Sequence, residues 1–480
     1  MHLPCRAWAR IGAMRVREDG RPAAPARPGD RLLLEIESLA AEGDGVGRHG
    51  GLAVFVPQTA PGDRVEVVVT EAAARFARAR LIDVRRPGPD RAVPPCPVYL
   101  ECGGCNWQHL TYPAQLTWKR SIVVEALRRL GHVADPEAVV RPTLPADPPW
   151  RYRHKLAVPF APPLRPGGPP QAGFYAARSH RIIAFEACAI QHPQLDLALA
   201  AARRLAVALE VPIYDEHTRR GDLRHLVGRV SHSTGELLLC LVTAHRAAPW
   251  AAAMAAGLRQ ALPACVGVVQ NVNSAPGNAI LGRQTFALAG RDHLLEHLEG
   301  LSFLVSAESF FQVSPVQAAA LYRTALGQAG LHRGDRVFDL YAGVGTISLL
   351  LARSGAAVEA VEEVPAAVED GRRNATANGL HVHFHCGPAE TVLPALVGRG
   401  LSAAVVVLDP PRKGAAAPVL EAIAAARPRR VVYVSCNPAT LARDVELLAA
   451  GGYALREVQP VDMFPQTAHV ECSALLVREA

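Results

Sequence analysis

Asp339-Leu340-Tyr341-Ala342-Gly343-Val344-Gly345-Thr346 is the stretch on which the fold turns. It completes the strand-like run Arg336-Val337-Phe338-Asp339-Leu340, breaks into a glycine-rich turn and leads into residues with helical spacing. Glycines at such a turn let the backbone approach a ligand, and an acidic residue ending the next strand can hold ribose hydroxyls. Ala357 to Val361 reads as that next strand, with Glu362 at its end, 19 residues beyond Gly343. Gly343, Gly345 and Glu362 are therefore candidate contacts to a nucleoside cofactor. The turn fits a dinucleotide as well as S-adenosylmethionine, and a purely structural glycine turn has the same appearance.

Further along, Ala403 to Leu408 and Arg430 to Ser435 are strand-like runs separated by helix-like ones. This alternation predicts an α/β domain with a doubly wound, Rossmann-like parallel sheet. Asp409-Pro410-Pro411-Arg412-Lys413-Gly414 and Ser435-Cys436-Asn437-Pro438 both begin where a strand ends, the edge at which open α/β sheets keep their ligands. A thiol there is a candidate nucleophile once its pKa is lowered. A packed small hydrophobe is the plainer reading of a lone strand-end cysteine.

At 480 residues the chain exceeds a single core. Residues 1–28, rich in Arg, Pro and Ala, read as a flexible tail, with Met1 and Met14 both available as starts. Short strand-like runs punctuated by glycines over 29–88 predict a small barrel of the oligonucleotide-binding type. Residues 89–300 form a central α+β domain whose topology the pattern does not yield, and 301–480 the cofactor domain. A helix near 112–131, with Leu116, Ile122, Val123, Leu127 and Leu130 on one side, is expected to pack on the cofactor domain. No apolar stretch is long enough to predict a membrane span, and no secretory signal pattern opens the chain. A cytoplasmic monomer is expected.

The net charge of +7 is almost wholly arginine, and residues 111–250 hold 18 Lys+Arg against 11 Asp+Glu. A phosphate-bearing partner would meet that region, unless it is an ordinary solvated surface. Arg151, Arg153 and Lys155 flank Tyr152 and His154, a mixture suited to phosphates and stacked bases and equally to a solvated edge. Cytosolic cysteines are seldom structural disulfides. The group Cys96-x5-Cys102-x2-Cys105, with Cys188 as a distant fourth, therefore suggests a metal, and its spacing leaves zinc and an iron-sulfur cluster both open.

Phe310-Phe311-Gln312-Val313, Asp339 to Thr346, Asp409 to Gly414, Ser435 to Pro438 and Gln466-Thr467-Ala468-His469-Val470-Glu471-Cys472 together resemble the bacterial RNA 5-methyluridine methyltransferases, of the 23S rRNA uracil-C5 type. The resemblance runs from about residue 29 to the end. It implies that Gln312, Tyr341, Glu362 and Asp409 contact S-adenosylmethionine, that Cys436 is a nucleophile adding to carbon 6 of uracil, and that Glu471 is the base removing the carbon 5 proton. It also implies that the barrel is a TRAM domain binding RNA, ribosomal RNA by expectation, and that Cys96, Cys102, Cys105 and Cys188 hold a 4Fe-4S cluster. Two departures stand out: Ser314 replaces the usual Asn, and Gly387-Pro388-Ala389-Glu390 replaces the usual Gly-Asp-Ala-Glu.

Rival readings are a tRNA methyltransferase, a radical S-adenosylmethionine enzyme and a non-catalytic RNA-binding iron-sulfur protein. Radical chemistry uses Cys-x3-Cys-x2-Cys, whereas the first gap here is five residues. Cys436 and Glu471 argue against a non-catalytic role. An amino-group methyltransferase would favour Asn-Pro-Pro-aromatic where Asp409-Pro410-Pro411-Arg412 stands.

Overall fold

The computed structural model describes residues 26–165 and 167–479, so the expected tail lies, save for its last three residues, outside the described residues. One compact unit comprises the described residues up to Val93 with His109–Thr111; the other comprises Pro94–Gln108 and the described residues from Tyr112 onward.

In the first unit β1 (Arg31–Leu39), β2 (Gly45–His49), β3 (Leu52–Val56), β4 (Arg64–Ala72) and β5 (Phe76–Arg86) close a barrel in the order β1-β2-β3-β5-β4. Strict alternation explains it: Leu32, Leu34 and Ile36 of β1 point inward with Val54, Val56, Val65, Val67 and Val69, and their neighbours face solvent. Gly45 has no alternative, because a Cβ there would stand 2.0 Å from the buried Thr59 hydroxyl. Asp63, fully buried, accepts from the Ala60 and Gly88 amides at 2.7 and 2.8 Å and pairs with Arg91.

The second unit opens with α1 (Tyr112–Arg129) and α2 (Pro136–Val139). Then come β6 (Lys155–Ala161), β7 (Gln171–Tyr175), β8 (Ile182–Ala184), α3 (Pro193–Ala208), β9 (Leu223–Val230), β10 (Leu237–Thr243), α4 (Ala251–Ala261), β11 (Cys265–Val272) and β12 (Gln284–Gly290). These strands form one sheet in the order β12-β11-β10-β9-β6-β7-β8, in which β10 and β11 run parallel. Every residue of β10 is buried: Leu237, Leu239 and Leu241 face α3 and α4, while Leu238, Cys240 and Val242 face a second core. A strand covered on both faces shows no alternation.

After the hairpin β13 (His293–Leu298) and β14 (Leu301–Ser306) the chain continues through α5 (Pro315–Ala329), β15 (Arg336–Leu340), α6 (Thr346–Arg353), β16 (Ala357–Glu362), α7 (Pro365–Ala377), β17 (Val382–Cys386), α8 (Ala389–Gly398) and β18 (Val405–Leu408). It ends with α9 (Ala417–Ala426), β19 (Arg430–Ser435), α10 (Pro438–Ala450), β20 (Tyr453–Val461) and β21 (Glu471–Arg478). The sheet order is β17-β16-β15-β18-β19-β21-β20, parallel from β17 to β19, with β21 antiparallel to both its neighbours. Strand order reverses between β15 and β18, which opens a crevice at their carboxyl ends. One sheet face packs Val337, Val358 and Val405 against α5 to α7; the other packs Phe338, Val406 and Tyr433 against α8 to α10. Val123, Val124 and Leu127 of α1 join the latter core beside Leu441 and Val445, whereas Leu130, one residue past the end of α1, is 47% exposed. Among the described residues no helix is long and apolar enough to cross a membrane.

Candidate active site

The turn after β15 is built as its residues require. Tyr341 takes a positive φ of 63°, uncommon for a side chain of its size and a mark of constraint at a functional loop. Gly343 and Gly345 also have positive φ, but their surroundings differ. A Cβ on Gly343 would meet nothing within 4 Å, whereas one on Gly345 would stand 2.8 Å from the Phe384 ring. Gly343 thus leaves room for a ligand, and Gly345 serves packing of the turn on β17. The Glu362 carboxylate accepts from the Gly343 amide at 2.8 Å and the Val364 amide at 2.9 Å, which fixes the acid beside the turn. Gly387, in the altered segment before α8, donates its amide to the Glu362 carbonyl at 2.9 Å.

Cys436 follows β19 and Glu471 opens β21. The antiparallel register pairs Ser435 with Cys472, so one step further Cys436 stands opposite Glu471. Asp409 leaves β18, the neighbour of β19, and donates its amide to the Leu340 carbonyl at 3.2 Å. Glu471 is 4% exposed, and burial reinforced by Asp409 pushes its carboxyl up to about 8. Burial raises Asp409 to about 7, with Asp339 adding to it, and raises Asp339 to about 7 despite the hydrogen bond from Ser348. The Cys436 thiol is lifted to about 11 by burial and then by Glu471 and Asp409, with Arg412 pulling the other way. The pocket therefore sets a thiol among acids that hold their protons near neutrality, offset by one guanidinium.

Gln312, 8% exposed, hydrogen-bonds the buried Tyr322 hydroxyl, which senses Asp409, Glu471 and Asp339. Sequence assigns no role of their own to Arg412 and Asp339, which are quoted only as members of motifs, and does not touch Tyr322. Arg412 lay inside a quoted motif, and the need for a cation near a reactive thiol could have marked it; Tyr322, on α5, carries no such signal. Ser314 is the N-cap of α5 without a side-chain capping bond.

The loop from Asp462 to Val470 that delivers Glu471 is held from α1 and from the segment just after Cys105. Lys119, fully buried, pairs with Asp462 and donates to the Phe464 carbonyl at 3.0 Å. Gln115 and Gln466 bond reciprocally, both at 2.9 Å. The Asn106 and Trp107 amides donate to the Gln466 carbonyl at 3.2 and 3.0 Å, and the Asn106 side chain accepts from the Ala468 amide at 2.9 Å. Gln466 itself has a φ of 70°. No periodicity argument reaches such pairings.

Cys96, Cys102, Cys105 and Cys188 are half-buried free thiols. Burial pushes Cys105 up to about 12, and Cys188, Cys102 and Cys96 add to it, so the distant fourth cysteine comes into electrostatic reach of the other three. Gly103 lets this segment close on β7: it donates to the Tyr175 carbonyl at 2.9 Å, and a Cβ would stand at the same distance from that oxygen. A separate donor group lies on the sheet edge, where His385 and His383 approach Glu359 at 2.8 and 3.0 Å. The stretch Arg151 to Lys155 is largely spoken for internally. Arg151 binds Asp196 and the Cys188 carbonyl, Tyr152 donates to the Pro465 carbonyl, and burial lowers Lys155 to about 7.

Residues 25–82 match the TRAM domain model, and residues 291–479 match the tRNA (Uracil-5-)-methyltransferase model. An uncharacterized RNA methyltransferase of Halalkalibacterium halodurans is 42% identical over 454 residues, which is 94% of this chain and 98% of that one. Another, of Listeria monocytogenes, is 41% identical over 446 residues, 93% of this chain and 97% of that protein. Among solved structures, the Pyrococcus abyssi tRNA (uracil-54, C5)-methyltransferase in complex with S-adenosyl-L-homocysteine superposes with a TM-score of 0.74 at 25% identity, covering 93% of this chain and 99% of that one. With a TRAM barrel, a glycine-rich turn at the sheet's switch point and near-full-length relatives of this kind, the chain belongs to the S-adenosylmethionine-dependent RNA uracil-5-methyltransferases.

Proposed function

We propose that this enzyme methylates carbon 5 of a uridine in 23S rRNA through a covalent bond between the Cys436 sulfur and carbon 6 of the base. The observation that carries the reading is the β19–β21 register, which sets Cys436 opposite Glu471 at the carboxyl edge of the sheet. S-adenosylmethionine, when bound, supplies an electrophilic methyl group on a positively charged sulfonium. Its fit rests on the open space at Gly343, the fixed Glu362 carboxylate, and Gln312, Tyr341 and Asp409 around the same crevice.

Carbon 5 of uracil is a poor nucleophile. Addition of the Cys436 thiolate at carbon 6 moves an electron pair toward carbon 5, which then takes the methyl group. The adduct still carries a proton on carbon 5. The Glu471 carboxylate accepts that proton, the freed pair closes the carbon 5–carbon 6 double bond, and the carbon–sulfur bond breaks to return the thiolate. Arg412 pulls toward the thiolate, but burial, Glu471 and Asp409 outweigh it and lift the thiol to about 11, so the lowered pKa expected of a nucleophile is not present in the free protein. The base must arrive unstacked to reach the sulfur.

The four half-buried thiols of Cys96, Cys102, Cys105 and Cys188 suit a 4Fe-4S cluster, which would supply the positive charge that lets four neighbouring thiolates coexist. A second substrate, tRNA, is favoured by the likeness to the tRNA (uracil-54, C5)-methyltransferase. Mapping 5-methyluridine in RNA from cells lacking the gene separates the two: loss from 23S rRNA supports the first reading, loss from tRNA the second. For the mechanism, Glu471→Gln should accumulate a denaturation-resistant, methylated RNA–protein adduct that Cys436→Ala abolishes. A Cys436→Ala protein that still methylates RNA refutes the covalent route.

A further inference from the structure

A cavity of about 950 Å³ opens on the β7–β9 side of the central sheet, within the region that carries the positive surplus of the chain and apart from Cys436 and Glu471. Tyr175 and His180 form part of its wall, their rings stacked with centroids 5.1 Å apart and planes at 25°. Tyr214 forms another part and carries the Arg224 guanidinium over its ring at 4.6 Å.

Arg224 and His225 of β9 also line the cavity, and each keeps a hydrogen-bonding atom unused. Arg224 is 6% exposed and donates through Nη1 to the carbonyls of Asn273 and Ala275, yet its Nε has no partner among the described residues; nor has Nδ1 of His225. A buried polar atom left without a partner costs about 1–3 kcal/mol. Both atoms are closed off from solvent, so what the cavity offers a ligand directly is its aromatic rings and the charged groups around them. Burial, helped by Arg224, lowers His225 to about 4 and keeps it a neutral imidazole that can donate or accept.

Arg178 and Arg181 lie on the rim, but so do Asp215 and Glu216, the latter 3.1 Å from His180. Acids beside the arginines disfavour a bare anion. They suit a ligand with a flat ring to stack, an edge bearing both donors and acceptors, and one phosphate to meet a guanidinium, which is the chemistry of a nucleotide.

We propose that this cavity is a second nucleotide subsite, taking an unpaired base of the RNA substrate other than the uridine that is methylated. The inference rests on the RNA-methylating reading above. It would hold part of the RNA loop open while the target base reaches Cys436, so it would act on RNA affinity and leave the chemical step alone.

The test uses the full-length protein with its cluster loaded and transcripts of 23S rRNA and tRNA. The Tyr175→Leu/Tyr214→Leu double variant removes both aromatic platforms and keeps apolar bulk. Stacking on a protein ring contributes enough per base that RNA Kd and KM should rise about 10- to 100-fold, with kcat and S-adenosylmethionine affinity unchanged. Retained cofactor affinity shows that the variant is folded; Tyr175→Phe, which keeps the ring, should bind RNA as the parent does. Equal RNA Kd for the parent and the double variant overturns the subsite. A parent protein that binds the transcripts but methylates none of them sinks the methyl-transfer reading, and the Kd comparison still decides the subsite.

Discussion

Glu471→Gln should make the protein more stable while arresting its turnover, and the gain should depend on pH in a defined direction. Glu471 is 4% exposed, and its carboxyl is raised from an ordinary 4.5 to about 8, first by burial and then by Asp409. A raised acid binds more protons folded than unfolded, so stability is fully present below the unfolded value and falls as pH climbs from 4.5 toward 8. At about 1.36 kcal/mol per pH unit, the penalty at pH 7 comes to roughly 3 kcal/mol, an upper value because relaxation and water entry reduce it. Glutamine matches the shape, carries no charge and escapes that penalty. Denaturant unfolding of both proteins from pH 5 to pH 8.5, without cofactor, checks it. The two should coincide near pH 5 and diverge in favour of the variant up to about pH 8, and curves that stay parallel over the whole range would refute the account of the acid cluster. The same measurement on Asp409→Asn should show a divergence of similar size that opens at lower pH and levels off near pH 7, since its carboxyl is raised from 3.8 to about 7.

In the parent enzyme kcat should rise with pH toward about 8, because Glu471 must lose its proton before it can act as a base and release the methylated product; a kcat that is flat between pH 6 and 8 contradicts this. Cys105→Ser should bleach anaerobically purified brown protein and lower its iron content from about four per chain. The same variant should speed amide exchange over residues 462–470 without weakening S-adenosylmethionine binding; stoichiometric zinc in iron-replete parent protein would argue for a different metal. Lys119→Met, which leaves Asp462 buried without its cation, should cost about 3–5 kcal/mol, and adding Asp462→Leu should recover much of it. Removing residues 1–88 should weaken RNA binding at fixed salt and spare cofactor affinity, because the cofactor turn and its partners all lie beyond residue 309.

The parts of the fold that alternate plainly were legible in advance. β1, β3 and β4 show inward Leu, Ile and Val at every second position, and the β15-turn-α6 unit carries the glycines that its positive φ angles require. The central sheet was not legible, because β10 is apolar on both faces and pairs in parallel with β11 across α4. At the site, sequence placed Gly343 and Gly345 in one role, and only the packing of Phe384 separates them. Cys436 and Glu471 could each be named, but their opposition follows from β21 being inserted antiparallel beside β19, which no local pattern announces. Lys119 lies on α1, and nothing in its local sequence marks its role. Its partner Asp462 lies 343 residues away, and the pair is fully buried.

That distance matters to how the active site is held. On top of burial, Asp409 raises the proton affinity of Glu471, and Asp339 that of Asp409, so an ionised Asp409 opposes ionisation of Glu471. β21 is anchored on both sides by β19 and β20, but the approach to it passes through Gln466 in a left-handed conformation that a glutamine does not favour. Bonds that hold this approach come from Asn106, Trp107, Gln115 and Lys119, joined by Tyr152 and Gln317. Asn106 directly follows Cys105, so whatever fixes the four thiols also fixes the carbonyl and amide that seat the Glu471 loop. A group bound by the cysteines would need no contact with RNA or cofactor to matter for methyl transfer. It would act by keeping a strained loop in the one geometry where Glu471 stands opposite Cys436.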